Sequence, residues 1–526
     1  MRELFRKKDL KKVIADAGDP HLAEGHAPDT GGLKRHLSAY HLVALGVGAI
    51  IGAGIFSLTG TAAADWAGPG IVYSFVLAGI LCAFAGLCYA ELASMIPVAG
   101  SAYAYSYTTM GEIIAWIIGW DLILEYTFGA VAVSIAWSGY VGSLIHGSLG
   151  IELPLWLVRL THGPFDTVTM SSGETVTGLV NLPAAFIALS LAAVLYRGIQ
   201  ESAWINNLIV VVKVAIVLIF VALGIGVIQM SNLIADPSAI GPAALVPPVQ
   251  TIEGVEHYGW GVGGVLTGAG VVFFAYIGFD AVSTTAQEAK NPSRDLPIGI
   301  LGSLVVCTIL YVLVALVLSG VVPYQDLGVA DPIAVGIDRI VELRHWSPTA
   351  QKLFTTAIKL GAIAGLTSVI LVLLMAQSRV FYAMARDGLL PWFADTHPRF
   401  HTPHRATAII GVTVASAAAF MPIGLVAEMV SIGTLLAFVL VCLGVPILRR
   451  TDPDQPRPFR VKWPWFTGVT GALTCVLLMV GLPLDTWIRM VVWLVLGFVV
   501  YFGYGKRHSL LGRAKPEQAP TDKSDA

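Results

Sequence analysis

Apolar residues recur in long runs along this chain, separated by short polar stretches, and the length of the runs sets the first expectation. Each covers about 20 residues, enough for one helix to cross a hydrocarbon core of roughly 30 Å. Twelve spans are predicted, at 41–64, 70–93, 111–145, 181–198, 204–229, 262–288, 298–321, 354–385, 404–421, 425–448, 464–482 and 487–505. A membrane barrel needs strands of only about 10 residues with alternating polarity, so these runs predict an all-α membrane protein.

Composition agrees. Hydrophobic residues make up 56% of the 526 and charged ones only 13%, against about 25% charged in soluble domains. The mean hydropathy is +0.75. Cys82, Cys88, Cys307, Cys442 and Cys475 all sit in apolar runs without metal-ligand spacing and read as packing residues. No His pair at metal spacing falls inside a span, and neither a metal nor a cofactor is expected. Residues 1–39 are polar and basic, with no short apolar core or cleavage site, so they read as a cytosolic tail rather than a signal peptide.

The net charge of −2 says little, but its distribution orients the chain. With the N-terminus inside, the inner loops carry Arg197, Lys290, Arg294, Arg379, Arg386, Arg399, Arg405, Arg449, Arg450, Arg457, Arg460 and Lys462. The N-terminal tail adds Arg2, Arg6, Lys7, Lys8, Lys11, Lys12, Lys34 and Arg35. Outer loops hold Arg159, Arg339, Arg344 and Lys352. Positive residues favour the cytoplasmic side, so both termini are expected there, in a plasma (inner) membrane. The longest outer loops, 146–180 and 230–261, are too short for independent domains. Residues 506–526 read as a disordered tail.

Two spans carry the signature of a break. Span 1 reads ALGVGAIIGAGIF over 44–56, with Gly46, Gly48, Gly52 and Gly54 at mid-depth. Span 6 reads GAGVVFFAYIGFD over 268–280, with Gly278 and the charge of Asp280. Close helix packing also uses glycine. The two spans, however, occupy equivalent positions if 40–230 and 231–450 form two five-helix repeats of opposite orientation, followed by two more helices at 451–505. Interrupted helices at matching places in two halves point to a carrier's binding site. A restarted helix presents free amides and a terminated one free carbonyls. Gly52, Ala53 and Gly54 are therefore expected to take a carboxylate, and Phe274 and Ala275 to offer carbonyls to an ammonium. A zwitterionic α-amino acid matches that pair.

The stretch LGVGAIIGAGIF at 45–56 resembles the first-helix signature of amino acid–polyamine–organocation carriers, in the cationic amino acid transporter branch. The resemblance continues through YAELAS (89–94), PVAGSAYAYSY (97–107), WDLILEY (120–126), FAYIGFD (274–280), EAKNP (288–292), RVFYAMARDGLLP (379–391) and SIGTLL (431–436), covering spans 1 to 10 in order. It implies a leucine-transporter-like 5+5 inverted repeat and alternating access, with the substrate carboxylate on amides matching Ile51–Gly54 and its amine on carbonyls matching Phe274, Ala275 and Ile277. Twelve spans rather than fourteen, and the weakly polar LTSVIL at 366–371, resemble the bacterial members, which favour neutral amino acids such as alanine.

Ionisable residues at membrane depth are expensive and point to function. Lys213 lies roughly eight residues, ~12 Å, past the cytoplasmic edge of span 5, far for a snorkelling lysine. The resemblance implies that a lysine matching Lys213 stands where sodium-coupled relatives hold a cation, which makes Lys213 the candidate for proton coupling. Glu125 of span 3 lies at similar depth, so a structural pair with Lys213 and a proton relay both stand open. Asp280 can cap the inner half of span 6 or, with Phe279, act as a gate. Phe56, Phe274, Tyr276 and Phe279 can wall a pocket or simply pack. Glu91, Arg379, Arg386 and Asp387 sit at helix ends where ordinary solvation competes with a gating network.

The expected function is import of a small neutral amino acid coupled to protons. Exchange of amino acids or polyamines, cationic ones included, is the alternative. No enzyme, channel filter or nucleic-acid surface is indicated. A small accessory membrane subunit and the oligomeric state are left open.

Overall fold

The computed structural model describes residues 5–8, 37–96, 101–148, 150–151, 153–169, 175–197, 203–239, 241–248, 250–252, 255–257, 261–286, 289–329, 331–390, 393–395, 397–400 and 402–513. Most of the N-terminal tail, 97–100 and 288 within the quoted motifs, Pro391, and 514–526 lie outside the described residues.

The described chain is predominantly helical. In chain order, its principal helices are α1 (Ala39–Ile50), α2 (Ile71–Met95), α3 (Ser101–Thr109), α4 (Glu112–Ser143), α5 (Leu182–Arg197), α6 (Ala203–Gly224) and α7 (Gly261–Val272). They continue as α8 (Pro292–Val321), α9 (Pro332–Leu343), α10 (Pro348–Arg386), α11 (His404–Phe420), α12 (Ile423–Thr451), α13 (Pro464–Gly481) and α14 (Leu484–Val500). Among the described residues, nine helices are long and apolar enough to cross a membrane, and three shorter apolar ones accompany them: Ala39–Ile50, Leu182–Arg197 and His404–Phe420. The two long loops carry small antiparallel hairpins, Thr167–Thr169 with Thr175–Thr177 and Gln250–Ile252 with Val255–His257.

Packing sorts the helices into two groups. In one, α8 lies against both α2 and α1, and α7 packs on α2; in the other, α10 and α11 pack on α4 and α5. Helix α6 touches both groups, and α12 joins α4 to α13. The apolar core runs continuously through both, with Tyr and Trp side chains among its largest fully buried members. The five cysteines are buried and free.

One expectation fails at the C-terminal end. Residues 506–513 do not begin a loose tail. Lys506–His508 and Leu510–Arg513 are helical turns that dock on the bundle, Leu510 N–H donating to Asp387 O at 3.1 Å. The Ser509 hydroxyl reaches buried Glu112 at 2.6 Å, and Tyr501 donates to the same carboxylate at 2.9 Å. A buried carboxylate left unpaired would be costly, which gives this segment its anchor.

Candidate functional site

Helix α1 stops where its glycines cluster. Ile51 leaves helical geometry (φ −71°, ψ 93°), the chain bends through Ile51 and Gly52, and winding resumes as a wide π-type turn over Gly54–Leu58. The second interruption follows α7. Phe273–Tyr276 tighten into a 3₁₀ turn, Ile277 is extended (ψ 137°), and a turn through 277–280 leads into the short helix Ala281–Thr284. Gly278 has φ +112°, a conformation that L side chains rarely adopt.

The two interruptions touch. A Cβ on Gly54 would collide with the backbone and Cβ of Ala275, and one on Gly278 would lie 3.0 Å from the Ala49 carbonyl carbon. Tyr311 of α8 fastens the crossing, its hydroxyl lying 2.8 Å from the carbonyl oxygens of both Ile50 and Ala275. Ile51, Gly52, Ala53 and Gly54 therefore stand beside Phe274, Ala275, Tyr276 and Ile277, and all eight are buried. The Phe274 carbonyl accepts from Ile277 N–H at 3.2 Å.

Lys213 reaches this crossing from α6. It is 1% exposed. Its ammonium donates to Gly48 O at 2.9 Å and Ile51 O at 3.3 Å, two carbonyls at the broken end of α1. Its stem passes Gly365 of α10, where a Cβ would come within 3.0 Å of the Lys213 Cγ.

Glu125 does not meet Lys213. Among the described residues, neither Glu125 oxygen has a hydrogen-bond partner, and the same holds for both Asp121 oxygens. Glu125 instead faces Asp280, Asp121 and Thr434. Asp280 does not cap the helix that follows it: it has no side-chain cap bond, and its Oδ2 accepts from Tyr126 at 2.7 Å. Phe279 is packed edge-on against Tyr89 at 5.4 Å and beside Phe438 at 5.0 Å. Phe56 makes an edge contact with Tyr140, whose hydroxyl donates to Phe56 O at 2.7 Å. Tyr276 donates to Phe75 O at 2.8 Å.

Two of the helix-end charges, Glu91 and Asp387, are engaged by partners, whereas Arg386 is exposed. Arg449 forks onto Glu91 with bonds of 2.9 and 2.6 Å, and Val461 N–H donates to the same carboxylate at 2.9 Å. Lys8 bridges to Asp387 at 2.7 Å. At the opposite end, buried Lys359 pairs with Asp338 of α9 at 3.1 Å. Among the described residues, no group of His, Cys, Asp and Glu could hold a metal ion.

Tyr311, Tyr126 and Asp121 were not singled out from the sequence. Their signal was present: a tyrosine hydroxyl or a carboxyl deep in an apolar span must be satisfied by another helix or a ligand. Nothing local says by which.

Two interrupted helices that touch inside a bundle of long apolar helices match the place where membrane carriers build their binding sites. The amino acid permease family model matches residues 37–501, and the chain belongs to that family. It is 41% identical over 514 residues to the methylthioribose transporter of Bacillus subtilis (strain 168), covering 98% of this chain and 100% of that one. It is 42% identical over 513 residues to the branched-chain amino acid permease BcaP of the same organism, covering 97% and 99%. It is 38% identical over 461 residues to the vacuolar cationic amino acid transporter 4 of Arabidopsis thaliana, covering 86% and 68%. These relatives are transporters, and the chain is not an enzyme.

Proposed function

We propose that this protein imports small neutral L-α-amino acids such as alanine by alternating access, coupled to protons through Lys213. The observation that carries the reading is the contact of Gly54 with Ala275, which sets a helix start beside a helix end. The start offers amides to a carboxylate around Ile51–Gly54, and the end offers carbonyls to an ammonium around Phe274–Ile277. Asp280 and Phe279 are the proposed inner gate. Glu125, which has no cation on its carboxylate among the described residues, is the proposed relay partner of Lys213.

The architecture proposed is twelve crossings with the breaks in the first and sixth, both termini cytoplasmic in the plasma membrane. Residues 40–230 and 231–450 form inverted five-helix repeats, and 451–505 add two helices. Packing supports this: spans five apart lie together, as in α2 with α8, α4 with α10 and α5 with α11.

A second reading, transport of cationic amino acids, has one observation in its favour. Asp121 and Glu125 are buried acids that a protonated substrate side chain would neutralise. Competition against labelled alanine uptake in proteoliposomes separates the two. Leucine should compete and arginine should not, while N-acetyl-alanine and alanine methyl ester should both fail. Competition by arginine alone would favour the second reading; competition by the ester would remove the carboxylate pole.

A further inference from the structure

A groove of about 590 Å³ lies at the start of α8, between its first turns and the segment that joins α12 to α13. Its lining is graded. Arg294 stands exposed at one end beside half-buried Ser293; Ile298 and Leu301 line the helix side, and Phe459 closes the opposite wall. Exposed Ile298, Val305 and Ile309 continue one face of α8 away from the charged end. Spacings of 7 and 4 residues keep that apolar track on one side of the helix.

The surroundings fix the height of the charged end. Trp463, Trp465 and Phe466 are exposed just beyond the joining segment, and the Arg450 guanidinium sits 4.2 Å above the Trp465 ring. Tryptophans and arginines of this kind mark the membrane–water boundary. Lys290, Arg460 and Lys462 are also exposed around this end. The one acid in the first turn of α8, Asp295, is turned inward and accepts from Asn291 N–H at 3.2 Å, so it does not oppose an anion at Arg294.

We propose that this groove is a binding site for one anionic glycerophospholipid of the cytoplasmic leaflet. Its phosphate sits at Arg294, and one acyl chain descends along Ile298 and Leu301 past Phe459. The leaflet assignment rests on the proposed orientation. Charge complementarity argues for this occupant, since the polar end is cationic and the rest apolar. A zwitterionic lipid offers no net charge to match, and a free phosphate would leave the apolar length uncovered. The groove is walled on one side by α8, which packs on α1 and α2, so an occupant would brace the helix that carries Tyr311.

The test uses the full chain in phosphatidylcholine nanodiscs doped with phosphatidylglycerol bearing a photoreactive acyl chain. Cross-linked peptides are mapped by mass spectrometry. Labelling should concentrate in 291–302 and 458–459, and Arg294→Glu should lower it about fivefold or more. Ile298→Trp, which fills the groove from a lipid-facing position, should lower it while Arg294 is intact. Labelling spread evenly over lipid-facing helices would overturn the site. So would equal labelling by photoreactive phosphatidylcholine, or labelling unchanged in both variants. Alanine uptake by the same preparations reads the carrier function separately, so its absence with groove labelling intact would count against the transport reading alone.

Discussion

The ammonium of Lys213 donates to the carbonyl of Gly48 across 2.9 Å. In an unbroken helix that carbonyl would receive the amide of Gly52, and Ile51 O, 3.3 Å from the same ammonium, would receive that of Ile55. The lysine occupies the place that the interruption of α1 left empty. Removing it by Lys213→Ala should orphan two buried acceptors, at about 1–3 kcal/mol for each. The melting temperature in detergent should fall, and Lys213→Gln, which keeps a donor, should recover part of the loss.

Contact at the crossing leaves no room for a side chain. Gly54→Val should abolish uptake, because its Cβ would meet the Ala275 backbone rather than a movable side-chain tip. Overpacking of this kind costs about 1–3 kcal/mol, so the variant should still reach the membrane. Uptake at a wild-type rate, measured in whole cells with a surface-expression control, would show that the interruptions separate in the working protein.

Tyr311 holds the carbonyls of Ile50 and Ala275 together at 2.8 Å each. Tyr311→Phe keeps the ring and loses the hydroxyl, which should cost about 1 kcal/mol of stability. It should also loosen the ammonium pole, so KM for alanine should rise with little change in expression. An unchanged KM would mean that this contact is structural only.

At the proposed cytoplasmic end, Glu91 is buried against the fork of Arg449. Glu91→Ala should destabilise the protein by about 3–5 kcal/mol, since it leaves a guanidinium without its partner. The double variant Glu91→Leu with Arg449→Met should recover only part of that loss, because Val461 N–H and Arg457 still lose the Glu91 carboxylate. Chemical denaturation in detergent reads both.

Much of the fold was legible because membrane helices write their lengths into the sequence. The runs at 181–198 and 404–421 correspond to Leu182–Arg197 and His404–Phe420. The glycine clusters marked where helical geometry ends, at Ile51 and again around Gly278. Side-chain partners were less legible. Counting residues from a helix start gives depth but not the direction a side chain faces. Glu125 and Lys213 were thus expected near one another, yet Lys213 turns to α1 and Glu125 to Asp280 and Thr434. Asp280 fails as a cap because its backbone is already helical (φ −68°, ψ −27°), whereas a capping side chain needs an extended one. Glu91 looked solvated at a helix end, but Arg449 lies 358 residues away in sequence, and only the folded bundle brings it over.

The most direct test of proton-coupled carriage is uptake of labelled alanine into proteoliposomes under an imposed inward proton gradient. Proton-coupled import predicts accumulation above equilibrium that collapses with a protonophore and disappears in Lys213→Ala, while that variant still exchanges alanine for alanine. Uptake that ignores the gradient and requires amino acid inside the vesicle, or gradient-driven accumulation that persists in Lys213→Ala, would contradict it.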